Sequence, residues 1–127
     1  MIAVIFEVIP TNGGKSEYLA IATDLKNRLT GIPGFLSIER FQSLADPNKI
    51  LSLSFWENEE AIEQWRNLQD HRLAQVKGRG RLFSDYRIRV GTIVRDYSLV
   101  ERAQAPSDSK ELHDMPNSLI KGEVENE

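Results

Sequence analysis

The side chains with chemical potential concentrate between Ser54 and Arg95, in SFWENEEAIEQWRNLQDHRLAQVKGRGRLFSDYRIRVGTIVR, with one outlier, Glu7, near the start. His71 carries an imidazole, which ordinarily titrates near neutrality and so serves readily in proton transfer. It reads either as a base or ligand at a pocket mouth, or as a surface or cap residue of a short helical segment. Glu7 interrupts the apolar row Ala3, Ile5, Ile9, and a carboxylate buried there needs ionic partners or a raised pKa. It is either half of a structural ion pair or a base facing substrate. Trp65 offers an aromatic wall, Trp56 a pocket or interface side chain, and each also fits a plain packing role. Arg87 and Arg89 are placed to stabilise negative charge, with Tyr86 and Arg81 able to orient an anionic or phenolic ligand. Within residues 1–102 His71 has no second histidine or clustered carboxylate to complete a metal-ligand spacing, so no metal site is expected.

The elements that must position these groups follow from periodicity. Ile2 to Ile9 reads as a first strand, with Val4, Phe6 and Val8 on one face and Ala3, Ile5, Glu7 and Ile9 on the other. Pro10 and Thr-Asn-Gly-Gly turn the chain into a helix from about Lys15, whose stripe is Tyr18, Ala22, Leu25, Leu29 and Ile32. Gly34 opens a second strand, Phe35 to Leu44, with Leu36 and Ile38 opposed to Ser37, Glu39 and Phe41. A third strand, Lys49 to Trp56, sets Leu51, Leu53 and Phe55 against Ser52, Ser54 and Trp56. Asn58 caps a second helix bearing Ala61, Ile62, Trp65 and Leu68. Continuing that helix would bring Arg72 beneath Trp65, so a break is expected between Leu68 and Asp70, with Leu73 and Val76 packing in a second short segment. A glycine-rich loop with Lys77, Arg79 and Arg81 leads to a long last strand, Tyr86 to Arg95, that reaches beyond its own sheet.

The order strand, helix, strand, strand, helix, strand is the ferredoxin-like split βαβ arrangement: an α+β domain with a four-stranded antiparallel sheet and both helices on one side. Ile5, Ile9, Phe41 and Trp56 are expected on the uncovered face, which favours self-association. Glu7 on the central first strand would then meet Ser52 or Ser54 on one side and Arg87 or Arg89 on the other.

Composition bounds what such a domain does. With 40% hydrophobic and 28% charged residues among 127, the chain is a globular protein of one domain. The absence of cysteine excludes disulfides, thiolate nucleophiles and iron–sulfur clusters. From Ala103 onward six acidic residues face two lysines, so the net charge of −3 leaves the remainder at +1. Residues 1–102 are therefore read as the domain and 103–127 as an acidic, disordered tail in which Leu119 and Ile120 could form a docking arm. Neither portion resembles a nucleic-acid binder. MIAVIFEVIP is too short and too acidic for a signal peptide or membrane span, so a cytoplasmic location is expected.

The element order, the second-strand opening GIPGFLSIERF, the third-strand ending Ser-Phe-Trp-Glu, and Glu-Glu-Ala-Ile-Glu-Gln-Trp followed by His71 resemble the antibiotic biosynthesis monooxygenase domain, of the dimeric α+β barrel group. That resemblance covers all but the tail. It implies a homodimer with sheets packed face to face, and a pocket in each subunit between sheet and helices. It further implies a cofactor-independent monooxygenase acting on a small aromatic or quinol substrate. Trp65 would flank the ring, His71 or Glu7 would take the proton, and Arg87 or Arg89 would hold the charge. Two other readings stay open: a haem-binding or haem-degrading monooxygenase, and a non-catalytic dimeric binding or sensor module. The haem-degrading branch carries an asparagine where Glu7 stands and a histidine some ten residues after the tryptophan, whereas His71 follows Trp65 by six.

Overall fold

A computed structural model describes residues 1–75 and 82–109. The chain divides into two compact units, Met1–Thr92 and Ile93–Glu127, the first ending before the boundary at residue 102 expected from composition. In the first, β1 (Ile2–Pro10), α1 (Gly14–Leu29), β2 (Phe35–Gln42), β3 (Ile50–Trp56), α2 (Glu59–Gln75) and β4 (Phe83–Thr92) succeed one another. The four strands form an antiparallel sheet in the order β2-β3-β1-β4, the split βαβ fold.

The turn after β1 is built for close approach. Thr11 N–H donates to Leu82 O at 3.0 Å, and Gly14 N–H donates to Thr11 O at 2.8 Å as α1 begins. A Cβ on Gly14 would stand 2.7 Å from Leu82 O, so only glycine fits between the end of β1 and the approach to β4. At α2 the expected cap forms: Asn58 Oδ1 accepts the Ala61 N–H at 2.9 Å.

Helices cover one face of the sheet. Beneath them lie Val4, Phe6, Val8, Ser52, Ser54 and Trp56, all buried, packed against Tyr18, Ala22, Leu29, Ile62 and Trp65. The parity of β3 is as read from sequence, but its direction is reversed. Ile2 pairs with Trp56, Val4 with Ser54 and Phe6 with Ser52, so the serines and Trp56 turn toward the helices. Trp56 is 0% exposed and donates from Nε1 to Ser54 Oγ at 2.8 Å. The serines sit under the helices because Ser54 supplies the acceptor that a buried indole N–H needs. Leu51, Leu53 and Phe55 instead join Ile5, Glu7 and Ile9 on the uncovered face, where each is half-buried.

In β2 the register shifts between Phe35 and Ser37. This bulge turns Phe35 into the core against Trp56 and leaves Leu36 exposed, where simple alternation grouped Leu36 with Ile38. The last strand begins at Phe83 and stops at Thr92, paired with β1 from Pro10 to Ile2, so it does not run past its neighbour as its alternation suggested.

The expected break in the second helix is absent: α2 is continuous from Glu59 to Gln75. Arg72 does follow Trp65 around the axis, but its Nε reaches Asp24 Oδ2 on α1 at 2.9 Å. A long stem with a carboxylate at its end lets a guanidinium sit at the margin of a core, and that partner lies on another element. The side chain of Leu73, together with Val76, the basic loop of Lys77, Arg79 and Arg81, and the tail with Leu119 and Ile120, lies outside the described residues.

In the second unit, Arg102 stacks 5.3 Å over the Tyr97 ring and donates to the carbonyls of Ser98 and Ser109, holding a short turn together. Its cation–π contact and two hydrogen bonds order a segment otherwise poor in core.

Candidate functional site

Between the sheet and the helices lies a narrow crevice into which several polar groups converge. Arg40 on β2 pairs across the sheet with Ser52 on β3, and Ser52 with Phe6 on β1, so the three form a row across the floor. Tyr18 descends on this row from α1, and Trp65 and Gln69 from α2. Trp65 and Gln69 share a helix face because they are four residues apart. Tyr18, Ser52, Trp65 and Gln69 are all buried. Phe6 and Phe83 meet edge to face at 6.1 Å, and Phe83 meets Tyr18 at 5.4 Å, giving one aromatic end to the crevice. The free space is about 10 Å³, room for one water-sized molecule.

Burial pushes the pKa of the Tyr18 phenol above its ordinary 10.0, and the charge and hydrogen bonding of Arg40 beside it pull the other way without cancelling the effect. At neutral pH Tyr18 is therefore protonated, a hydrogen-bond donor rather than a base. Arg40 Nε is buried and lacks a hydrogen-bond partner. Such an orphaned donor is costly unless something else meets it.

The opposite face of the sheet carries a second constellation. Glu7 Oε2 lies 3.4 Å from Arg89 Nη1 and 3.5 Å from Lys49 Nζ. Arg87, the register partner of Glu7, lines the same shallow cleft of about 300 Å³ with Tyr86 and Ile9. Toward β2, Glu7 and Lys49 border a neighbouring depression with Phe41 and Leu51.

The residues singled out in the sequence are thus divided between two faces. Glu7, Arg87 and Arg89 come together as expected, with Tyr86 at their margin, its ring also 6.0 Å from Phe6. The expected meeting of Glu7 with Ser52 or Ser54 does not occur, because Glu7 pairs with Leu51 and the serines point to the other face. Trp65 lines the crevice, whereas Trp56 lies fully within the core, ring to ring with Trp65 at 6.0 Å, and offers a substrate no surface. His71 is exposed on α2. In an unbroken helix it stands roughly 120° around the axis from Trp65, so the turn toward a pocket mouth that a break would have given does not arise. Glu7 and His71 therefore lie on opposite sides of the sheet, and neither is among the residues that line the crevice.

Sequence reasoning passed over Tyr18, Arg40, Gln69 and Lys49. Two of them left a signal: Arg40 follows Ile38 by two in the same alternation, and Tyr18 is the one hydroxyl in the buried stripe of α1. Among the described residues no group of three or more histidine, aspartate or glutamate side chains could hold a metal ion. None of the described helices is long and apolar enough to cross a membrane.

A four-stranded antiparallel sheet with two helices on one face, and a polar crevice under those helices, defines a ferredoxin-like α+β domain. The family model described as antibiotic biosynthesis monooxygenase matches residues 1–77, and the chain belongs to that family. It is 44% identical over 93 residues to the jasmonate monooxygenase ABM of Pyricularia oryzae, a match covering 73% of this chain and 43% of that protein. The chain thus spans less than half the length of this curated relative. Its fold is that of Rv0793 from Mycobacterium tuberculosis (TM-score 0.65, 17% identity, 76% of this chain and 98% of the other). It is likewise that of SnoaB, a cofactor-independent oxygenase from Streptomyces nogalater (TM-score 0.61, 9% identity, 75% and 94%).

Proposed function

We propose that this domain is a monooxygenase that oxidises a small, electron-rich organic molecule, an aromatic quinol or anthrone-like compound, in the crevice between sheet and helices, without a bound cofactor. The observation that carries this reading is the convergence of Trp65 with the buried polar side chains Tyr18, Ser52 and Gln69 at one place under the helices. Family membership and the resemblance of the fold to a cofactor-independent oxygenase support it.

The chemistry is carried largely by the substrate. An acidic C–H or O–H loses its proton, and the anion passes an electron to dioxygen. In an anthrone-like case a CH₂ group and O₂ become a ketone and water, with every electron drawn from the substrate. The protein supplies a dry space, orientation against the Trp65 ring and fixed hydrogen-bond donors. Substrate enters beside Arg40, the half-exposed member of the lining, which stays at the edge of the opened crevice. Neither His71 nor Glu7 is among the lining residues, so on this reading the proton passes to solvent at the Arg40 edge of the crevice.

Oxygen uptake with a panel of hydroquinones and anthrone is the test. Jasmonate belongs in the panel, with and without a nicotinamide reductant, because hydroxylating an unactivated C–H consumes two further electrons. Uptake should fall at least tenfold in Trp65→Ala. An equal fall in His71→Ala or Glu7→Ala would return proton transfer to those groups, and no uptake with any member would end the reading.

Haem binding would need the crevice to open much further than a small aromatic does, and His71 is exposed on α2 rather than among the residues that line it. The closeness of the interlayer packing does favour one other reading, a non-catalytic dimeric module whose interior is simply filled. Binding of an aromatic probe quenched by Trp65 would exclude that module.

We further propose a homodimer formed through the uncovered sheet face, where half-buried Ile5, Leu51, Leu53 and Phe55 surround the Glu7 ion pairs. Sedimentation should give twice the monomer mass, and Leu53→Lys should restore the monomer.

A further inference from the structure

Resting on the crevice as the substrate site, one feature says which molecules it takes. Arg40 is a cation in a lining that is otherwise aromatic, aliphatic or uncharged polar: Phe6, Ser52, Trp65, Gln69 and Phe83. Three other cations of this unit have carboxylates. Arg72 has Asp24 at 2.9 Å, and Arg89 and Lys49 share Glu7. Arg40 has no carboxylate within ion-pair distance among the described residues, and its buried Nε makes no hydrogen bond. The nearest acid on its own strand, Glu39, points to the other face by the strand period. Glu39 pairs with Leu53, whereas Arg40 pairs with Ser52.

We propose that Arg40 and Tyr18 form an oxyanion-binding pair, and that the crevice selects molecules presenting a negatively charged oxygen, a carboxylate or a phenolate, to these two side chains. The guanidinium provides the counter-charge and a forked set of donors. The Tyr18 hydroxyl, protonated at neutral pH, adds a second donor from the helix side. A neutral molecule of the same shape could accept from Arg40 Nε but would leave the guanidinium charge without a counter-charge. Stabilising a phenolate or enolate at this point also shifts the substrate's own acidity, so that deprotonation proceeds without a resident base, a task for which the crevice holds no carboxylate or imidazole.

One matched probe pair and a third, chromogenic probe test this on the full chain. Benzoate and benzamide, equal in shape and unequal in charge, are titrated against tryptophan fluorescence. 4-Nitrophenol is followed by its visible spectrum, which reports the ionisation of the bound phenol. Wild type should bind benzoate at least tenfold more tightly than benzamide, or lower the apparent pKa of bound 4-nitrophenol by about one unit. Selectivity for benzoate alone identifies a carboxylate as the group recognised, and a shift in nitrophenol alone identifies a phenolate. Arg40→Gln should abolish the charge preference, read as the ratio of benzoate to benzamide affinity, and Arg40→Lys should restore part of it. Tyr18→Phe should weaken the preferred anion several-fold. Benzamide bound as well as benzoate, with no nitrophenol shift, overturns the oxyanion pair and leaves the crevice as a binding site. So does a preference that survives in Arg40→Gln. Failure of wild type to bind any of the three overturns both the pair and the crevice reading.

Discussion

Replacing Ser54 by alanine isolates a single buried interaction. The Trp56 indole is 0% exposed and its N–H has one acceptor, Ser54 Oγ at 2.8 Å, itself on a residue 1% exposed. In Ser54→Ala the hydroxyl is lost with almost no change in volume, so little cavity forms, and the indole N–H is left without an acceptor in a place that excludes water. That penalty is about 1–3 kcal/mol, offset slightly by burying a methyl group in place of a hydroxyl. A net loss of about 1.5 kcal/mol lowers the urea midpoint by roughly 0.5–1 M at constant slope, and Tm by several degrees. Protein concentration must be held fixed if the chain dimerises. Trp56→Phe removes the donor but also core volume, so the informative quantity is the coupling in the double variant, expected to exceed about 0.5 kcal/mol. A Ser54→Ala change within about 0.3 kcal/mol of wild type, or a coupling of zero, would refute the account of why serines lie under the helices.

Other expectations can be measured with the same tools. Asp70→Pro should cost about 3 kcal/mol or more, because position 70 is interior to a continuous α2; a tolerated proline would mean the helix restarts there. Because folding raises the Tyr18 pKa, the folded state holds a proton that the unfolded state releases, so this contribution is intact below the ordinary pKa and is lost as pH rises from about 10 through the folded value. Melting curves in that alkaline range should decline less steeply for Tyr18→Phe than for wild type. Gly34 has φ of +92°, and a Cβ there would lie 3.1 Å from the Ala61 Cβ and 3.2 Å from Asn58 Nδ2, so Gly34→Ala should destabilise by about 1–2 kcal/mol. An unchanged denaturation midpoint would show that the turn relaxes freely.

The fold was legible because its information is local. The apolar run of β1, the stripe of α1 and the Asn58 cap each declare themselves within a few residues. What failed was information held on another element. Alternation shows that Ser52, Ser54 and Trp56 share a face, but not which face the helices choose, and here they chose the one bearing hydroxyls. Arg72 argued for a broken helix only while Asp24, forty-eight positions earlier, was out of view. The meeting of Tyr18 with Arg40 was hidden for the same reason: one belongs to a helix and the other to an edge strand, and each alone looks ordinary.

The strand order also dictates a schedule. β1 is synthesised before the other strands of its sheet, yet it lies inside that sheet, and Glu7 must wait for Leu51 on one side and for Arg87, eighty positions on, at the other. The β2–β3 hairpin closes through a short turn in which Ser43 N–H donates to Lys49 O, so it can form early, whereas β1 and β4 must close a long loop. The 1–77 stretch matched by the family model contains three strands and both helices but ends short of β4. A nascent chain stalled at that point would present one edge of its most apolar strand unpaired, a template for joining neighbouring chains on a polysome.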